Sequence, residues 1–227
     1  MQIPRSAVAP LLLFFLAAAA GFAAPAKTHT VLLGAARKVG YAPVGAAAGT
    51  EMSTLKVRPL IVDGRQRDWT VGEAHDVTDR SFTVRRVLRV NDSLPGETPM
   101  RWSWQPGPWL LVDRATGHIA PLHLADFDAA VSEAVWYRDY AAYCGPTATG
   151  KTLDAVVAQI GVRKAVVLRE LAKWSPTGQA GPACAPARWQ RQPMRVTFQP
   201  VGGAAVSFEV VGGASALIED GDNSDEP

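Results

Sequence analysis

The chain has 227 residues, of which 48% are apolar and 19% charged, and its formal net charge is +2. That balance excludes an intrinsically disordered polymer, and the length suits one domain better than two. With 17 Pro and 20 Gly the chain is interrupted often, which favours short strands and turns over long helices.

The first element is a leader over residues 1–26. Arg5 precedes an apolar run, Val8 to Ala20, broken at Pro10, and small residues end in Ala24-Pro25-Ala26. This layout predicts a signal peptide cleaved after Ala26. No second apolar segment of spanning length follows, so no stable membrane insertion is expected after cleavage. A periplasmic or secreted location follows, with disulfides permitted and free nucleotide cofactors out of reach. No cofactor is expected.

Residues 27–54 read as a flexible lead-in with a short strand near Thr30–Leu33. Leu55–Val62 is a β-rich run ending in the turn pair Asp63-Gly64. Ser81–Val90 alternates and stops at Asn91-Asp92 and Pro95-Gly96. Trp102 and Trp104 alternate with polar neighbours. Gln105-Pro106-Gly107-Pro108 reads as a turn before a strand at Trp109–Asp113, and Ala115-Thr116-Gly117 turns into His118–Leu124. Asp126–Val135 is the helix candidate, because Phe127, Ala130, Val131, Ala134 and Val135 recur at helical spacing behind a capping Asp126.

Alternation resumes from Trp136 to Cys144. Thr152–Leu171 fits a helix or a hairpin. Its β-branched content and Gly161 favour the hairpin, turning at Gly161-Val162-Arg163-Lys164. Ser175–Pro186 is a loop carrying Cys184. Met194–Gln199 and Ala204–Val211 pair around Gly202-Gly203, and Trp189–Val196 adds a late core strand. Residues 213–227 form an acidic disordered tail with Glu219, Asp220, Asp222, Asp225 and Glu226. Discounting those five acids and Arg5 leaves a body of +6, but its arginines are interleaved with aspartates, so no nucleic-acid stripe forms. The expected fold is mainly β over residues 55–212. It is a short-strand meander (a sandwich, an open barrel or a partial propeller-like stack) with one short helix.

Cys144 and Cys184 are the only cysteines, and in an oxidising compartment they predict one disulfide. Residues Gly145 to Thr152 match the phosphate-loop pattern G-x-x-x-x-G-K-[ST], with Gly145, Gly150, Lys151 and Thr152 in the functional positions and Asp113 as the matching carboxylate. Export, the reversed order of Asp113 and the loop, and the missing N–H of Pro146 favour a plain hairpin turn instead.

His118 and His123 point to opposite faces of one strand. His123, Asp126 and Asp128, or Glu73, His75, Asp76 and Asp79, would each need to converge to hold a metal, and turn capping explains them equally well, so no metal site is assigned. No G-x-S-x-G elbow occurs. Trp102, Trp104 and Trp109 are a candidate platform for sugar rings, although core filling is the commoner use of tryptophan.

The segment Trp136-Tyr-Arg-Asp-Tyr-Ala-Ala-Tyr-Cys-Gly145, the valine pair at Val157 followed by Arg163-Lys164, and Val87-Leu-Arg-Val-Asn-Asp-Ser-Leu-Pro95 resemble a group of uncharacterised exported bacterial proteins over roughly Leu55 to Val211. The resemblance implies export and a shared fold. It implies no activity and no site residues. The leading functional expectation is an exported, non-enzymatic binding or scaffold protein whose partner is an unknown protein or glycan. The alternatives are an exported hydrolase with a loop-built site and a phosphate binder at Gly145–Thr152.

Overall fold

The computed structural model describes residues 28–41, 53–175 and 182–211. The expected leader and acidic tail lie outside the described residues. Within them the chain is all-β: fourteen strands, paired antiparallel, form three open sheets.

The first sheet holds β1 (Val31–Leu33), β2 (Arg37–Tyr41), β3 (Ser53–Val62), β4 (Arg65–Asp76), β5 (Ser81–Asn91), β6 (Trp102–Asp113) and β7 (Ile119–Leu122). Its order is β1-β3-β4-β5-β6-β7, and β2 shares the outer edge of β3 with β1. Asp63 and Gly64 both adopt positive φ, 53° and 73°, which gives the turn twist that joins β3 and β4 without splaying them. One face of this sheet buries Leu60, Phe82, Val84, Leu110 and Val112, with Val31, Leu33 and Ile119 packed against them. The period-two spacing of these residues on β5 and β6 is the reason both segments are strands.

The second sheet runs β11-β10-β9-β8, with β8 (Val135–Tyr137), β9 (Tyr140–Pro146), β10 (Thr152–Gln159) and β11 (Val167–Lys173). The third is β12-β13-β14, with β12 (Cys184–Gln190), β13 (Arg195–Pro200) and β14 (Val206–Glu209). The second sheet lies between the other two. Tyr140, Ala142 and Cys144 of β9 join Leu153, Ala155 and Val157 in a core with Val196 and Phe198 of β13. Ala141, Tyr143 and Val156 face the opposite way, against Trp109 and Phe127. Burial on both faces explains why β9 reads as a nearly unbroken apolar run. Cys144 is disulfide-bonded to Cys184, pinning the first strand of the third sheet to the middle of the second.

Several expectations are corrected. Asp126–Val135 is not a helix. Asp126 has φ of 55°, which no helix start accepts, and the segment is one turn in which Val131 and Ser132 N–H both reach the Asp128 carbonyl (3.0 and 3.1 Å). Its apolar residues are pinned singly onto the second sheet, and the Tyr143 hydroxyl donates to the Ala125 carbonyl at 2.6 Å. Tertiary contacts here override helical periodicity.

Gln105–Pro108 is not a turn. β6 runs through it, and the prolines sit at a register irregularity opposite Arg85–Val87, where a ladder N–H is dispensable. Trp136–Cys144 is not one strand but the tight β8–β9 hairpin, turned at Arg138 with φ of 55°. The short strand expected near Thr30–Leu33 is β1, but the lead-in region also carries β2, and Cys184 opens a strand instead of sitting in a loop.

Asp154 and Glu170 lie directly opposite each other on β10 and β11. Burial, then the charges of Glu170 and Asp126, push the Asp154 carboxyl above its ordinary value of 3.8. The folded protein therefore holds this proton more tightly than the unfolded chain. The contribution favours folding at low pH and is lost as pH rises from near 4 through the raised folded value. Glu170→Gln is expected to stabilise the protein at pH 7 by about 0.5 kcal/mol, discounted for exposure, and to flatten the decline of stability as pH rises above the ordinary Asp value. Urea titrations at stepped pH measure both effects.

Candidate functional site

The first and second sheets meet along an aromatic seam. Trp109 of β6 packs edge-on against Trp136 of β8, with ring centroids 5.2 Å apart. His75 of β4 stacks on Trp136 at 6.0 Å and donates Nε2–H to the Arg138 carbonyl at 2.7 Å. Phe127 meets the Tyr143 ring at 5.2 Å. The His75 and Trp109 contacts with Trp136 hold the two sheets together, Phe127 packs the connecting loop onto β9, and a two-lobed cleft lies beside them.

The larger lobe has a volume of 990 Å³ and is lined by Tyr41, Arg85, Trp109, Phe127, Asp128 and Glu133, among others. The smaller, of 530 Å³, is bounded by Trp136, Ile160 and Arg163, and Leu122, His123 and Leu124 border both lobes. Each volume falls within the roughly 300–1,000 Å³ typical of small-molecule sites.

The chemistry of the walls is mixed. The indole N–H groups of Trp109 and Trp136 are buried and have no hydrogen-bond partner among the described residues. Such donors are uncommon in folded interiors, and here both nitrogens are closed off from the open space of the cleft, which meets the rings by their carbon faces and edges. Arg85 donates Nε–H to the Gly107 carbonyl at 3.2 Å, and its guanidinium lies 5.6 Å from the Phe127 ring centroid. Burial pulls its pKa down, against the raising effect of Tyr41, Asp128 and Glu133. Asp128 accepts the Ala130 N–H at 2.8 Å and Glu133 is exposed, so both carboxylates stand at a wet rim.

The tryptophans of the expected platform do not form one flat row. Trp102 is 51% exposed, with Arg89 5.6 Å above its ring. Trp104 is half-buried against Trp69 at 5.8 Å, and the Arg37 guanidinium covers both rings. Trp109 belongs to the inter-sheet cleft.

Gly145–Thr152 is the β9–β10 hairpin: Thr147 N–H bonds to Thr152 O at 3.0 Å, and Gly150 N–H to Thr147 O at 2.7 Å. Antiparallel β10 follows where a phosphate loop opens a helix, so the N–H groups face their own turn. Gly145 itself is needed for packing, since a Cβ there would stand 2.6 Å from the Asp126 carbonyl oxygen. Asp113 spends its carboxylate on the N–H groups of Ala115 and Thr116 (2.6 and 3.0 Å).

Among the described residues no three His, Cys, Asp or Glu side chains converge as metal ligands, so neither candidate cluster assembles. Nor is any histidine ring hydrogen-bonded to a serine, threonine or cysteine there: His29 bonds Asp63 and His75 bonds a carbonyl.

The sequence reading missed Arg85, Phe127 and Trp136 as wall residues. Arg85 carried a signal, because it shares the strand parity of Thr83 and Val87, both buried. A cation on an inward-facing parity is unusual. Phe127 and Trp136 carried none, since their roles depend on how two sheets separated in sequence come together. Compared with known protein families, with curated proteins and with solved structures, the chain matches none.

Proposed function

We propose that the protein is an exported, non-enzymatic glycan-binding module whose ligand lies in the cleft between the first and second sheets. The carrying observation is the composition of the cleft: the aromatic walls of Trp109, Phe127 and Trp136, edged by the planar polar groups of Arg85, Asp128 and Glu133. Aromatic rings offer faces to the C–H side of a sugar, while forked donors and carboxylate acceptors suit neighbouring hydroxyls. Export is supported by the leader and by the Cys144–Cys184 bond, which suits an oxidising compartment.

The test is titration of the protein with a panel of neutral and acidic oligosaccharides, read by tryptophan fluorescence and calorimetry. A saturable change with at least one sugar is expected. Glu133→Ala, an exposed substitution that leaves the cores intact, should weaken that binding by about tenfold, or 1.4 kcal/mol. Trp109→Phe, which shrinks the aromatic face offered to the sugar, should weaken it too. Silence across the panel, or binding indifferent to both substitutions, overturns the reading.

A further inference from the structure

Arg85 is the part of the cleft that a neutral ligand leaves unexplained. It stands on the face of β5 that carries buried Thr83 and Val87, and burial depresses its pKa, so its charge is partly stripped of water. Desolvated charges in folded proteins are ordinarily paired. Two other half-buried arginines obey that rule: Arg86 bonds Asp68 at 2.9 Å, and Arg114 bonds Asp76. Among the described residues no carboxylate comes within ion-pair distance of Arg85, and only its Nε–H has an acceptor. Both terminal nitrogens remain available on the wall of a 990 Å³ lobe, with Phe127 beneath the guanidinium.

We propose that the glycan is acidic, and that the terminal nitrogens of Arg85 take the carboxylate of a uronic-acid-type sugar in a forked hydrogen bond. This rests on the glycan-binding reading above. A guanidinium matches a carboxylate in shape, and charge-assisted bonds strengthen where water is displaced. Asp128 and Glu133 do not cancel the effect. They are exposed, so their repulsion is screened, and Asp128 is bonded into its own turn. They do limit charge density, so the site suits a single carboxylate beside hydroxyls and disfavours closely spaced sulfates.

The experiment compares oligosaccharides of galacturonate, alginate and hyaluronan with the same compounds after carboxyl reduction, by calorimetry. Glucose 6-phosphate serves as a phosphate source. At least one acidic oligosaccharide is expected to bind about tenfold or more tightly than its reduced form. Arg85→Gln should erase that difference while retaining binding of the reduced sugar. Arg85→Lys should restore only part of it, because an ammonium lacks the fork. Equal binding of both forms to the native protein overturns the role of Arg85 and leaves the glycan reading standing. Displacement of the acidic sugar by glucose 6-phosphate at equal concentration overturns the carboxylate assignment. Binding of neither form brings down the glycan reading and this inference together.

Discussion

Replacing both Cys144 and Cys184 by alanine is expected to lower stability by about 4 kcal/mol. The bond closes a loop of 40 residues, and on the chain-entropy model the unfolded chain regains that closure entropy when the bond is removed. The loss should not be much larger, because the third sheet keeps other anchors. Val196 and Phe198 stay in the shared core, the Trp189 indole N–H donates to the Val135 carbonyl at 3.0 Å, and Ala183 N–H bonds the Val131 carbonyl at 2.7 Å. Nor should it be much smaller, since both sulfurs are buried and alanine leaves space where they packed.

Urea denaturation of the double variant and of the oxidised parent measures the difference. The parent treated with reductant should move in the same direction. A loss below about 1 kcal/mol would mean that the loop is already constrained in the unfolded ensemble.

The strands that were legible are those whose burial is periodic along the chain. β3, β5, β10 and the β13–β14 hairpin each alternate or carry β-branched runs between clear turn residues such as Asp63-Gly64 and Gly202-Gly203. β4 was not legible. Its first residues, Arg65 to Asp68, are all polar, and it is a strand because β3 and β5 flank it on both edges. β2 was missed for a similar reason: it is short, polar and held by pairing with β3.

Asp126–Val135 shows the opposite failure. Phe127, Val131 and Ala134 repeat at helical spacing, yet Val131 packs into the core on one face of the second sheet while Ala134 and half-buried Phe127 pack against its opposite face. The disulfide was legible because only two cysteines exist and their pairing needs no geometry. The cleft was not, because its walls come from β5, β6, β8 and the β7–β8 loop. One-dimensional spacing says nothing about how two sheets meet.

Ser132→Ala is expected to cost about 3 kcal/mol. β8 pairs with β9 only as far as Ala142, so Cys144 has no strand neighbour on that side. The Ser132 hydroxyl takes the place of one. It donates to the Cys144 carbonyl at 2.7 Å and accepts the Cys144 N–H at 2.9 Å, and Ser132 is itself 3% exposed. Alanine would leave both backbone groups unmet in a buried site, and each such group costs roughly 1–3 kcal/mol. For a domain of this size that corresponds to a fall of about 10 °C in Tm. Ser132→Thr, which keeps the hydroxyl, should recover much of the loss, so rescue separates the hydrogen bond from mere packing.

The effect should also fail to add to that of the cysteine substitutions, because both act on Cys144. Once the disulfide is gone, β9 can shift towards water at that edge, and the serine should matter less. A full additive loss in the triple variant would show that the hydroxyl and the disulfide brace the middle sheet independently.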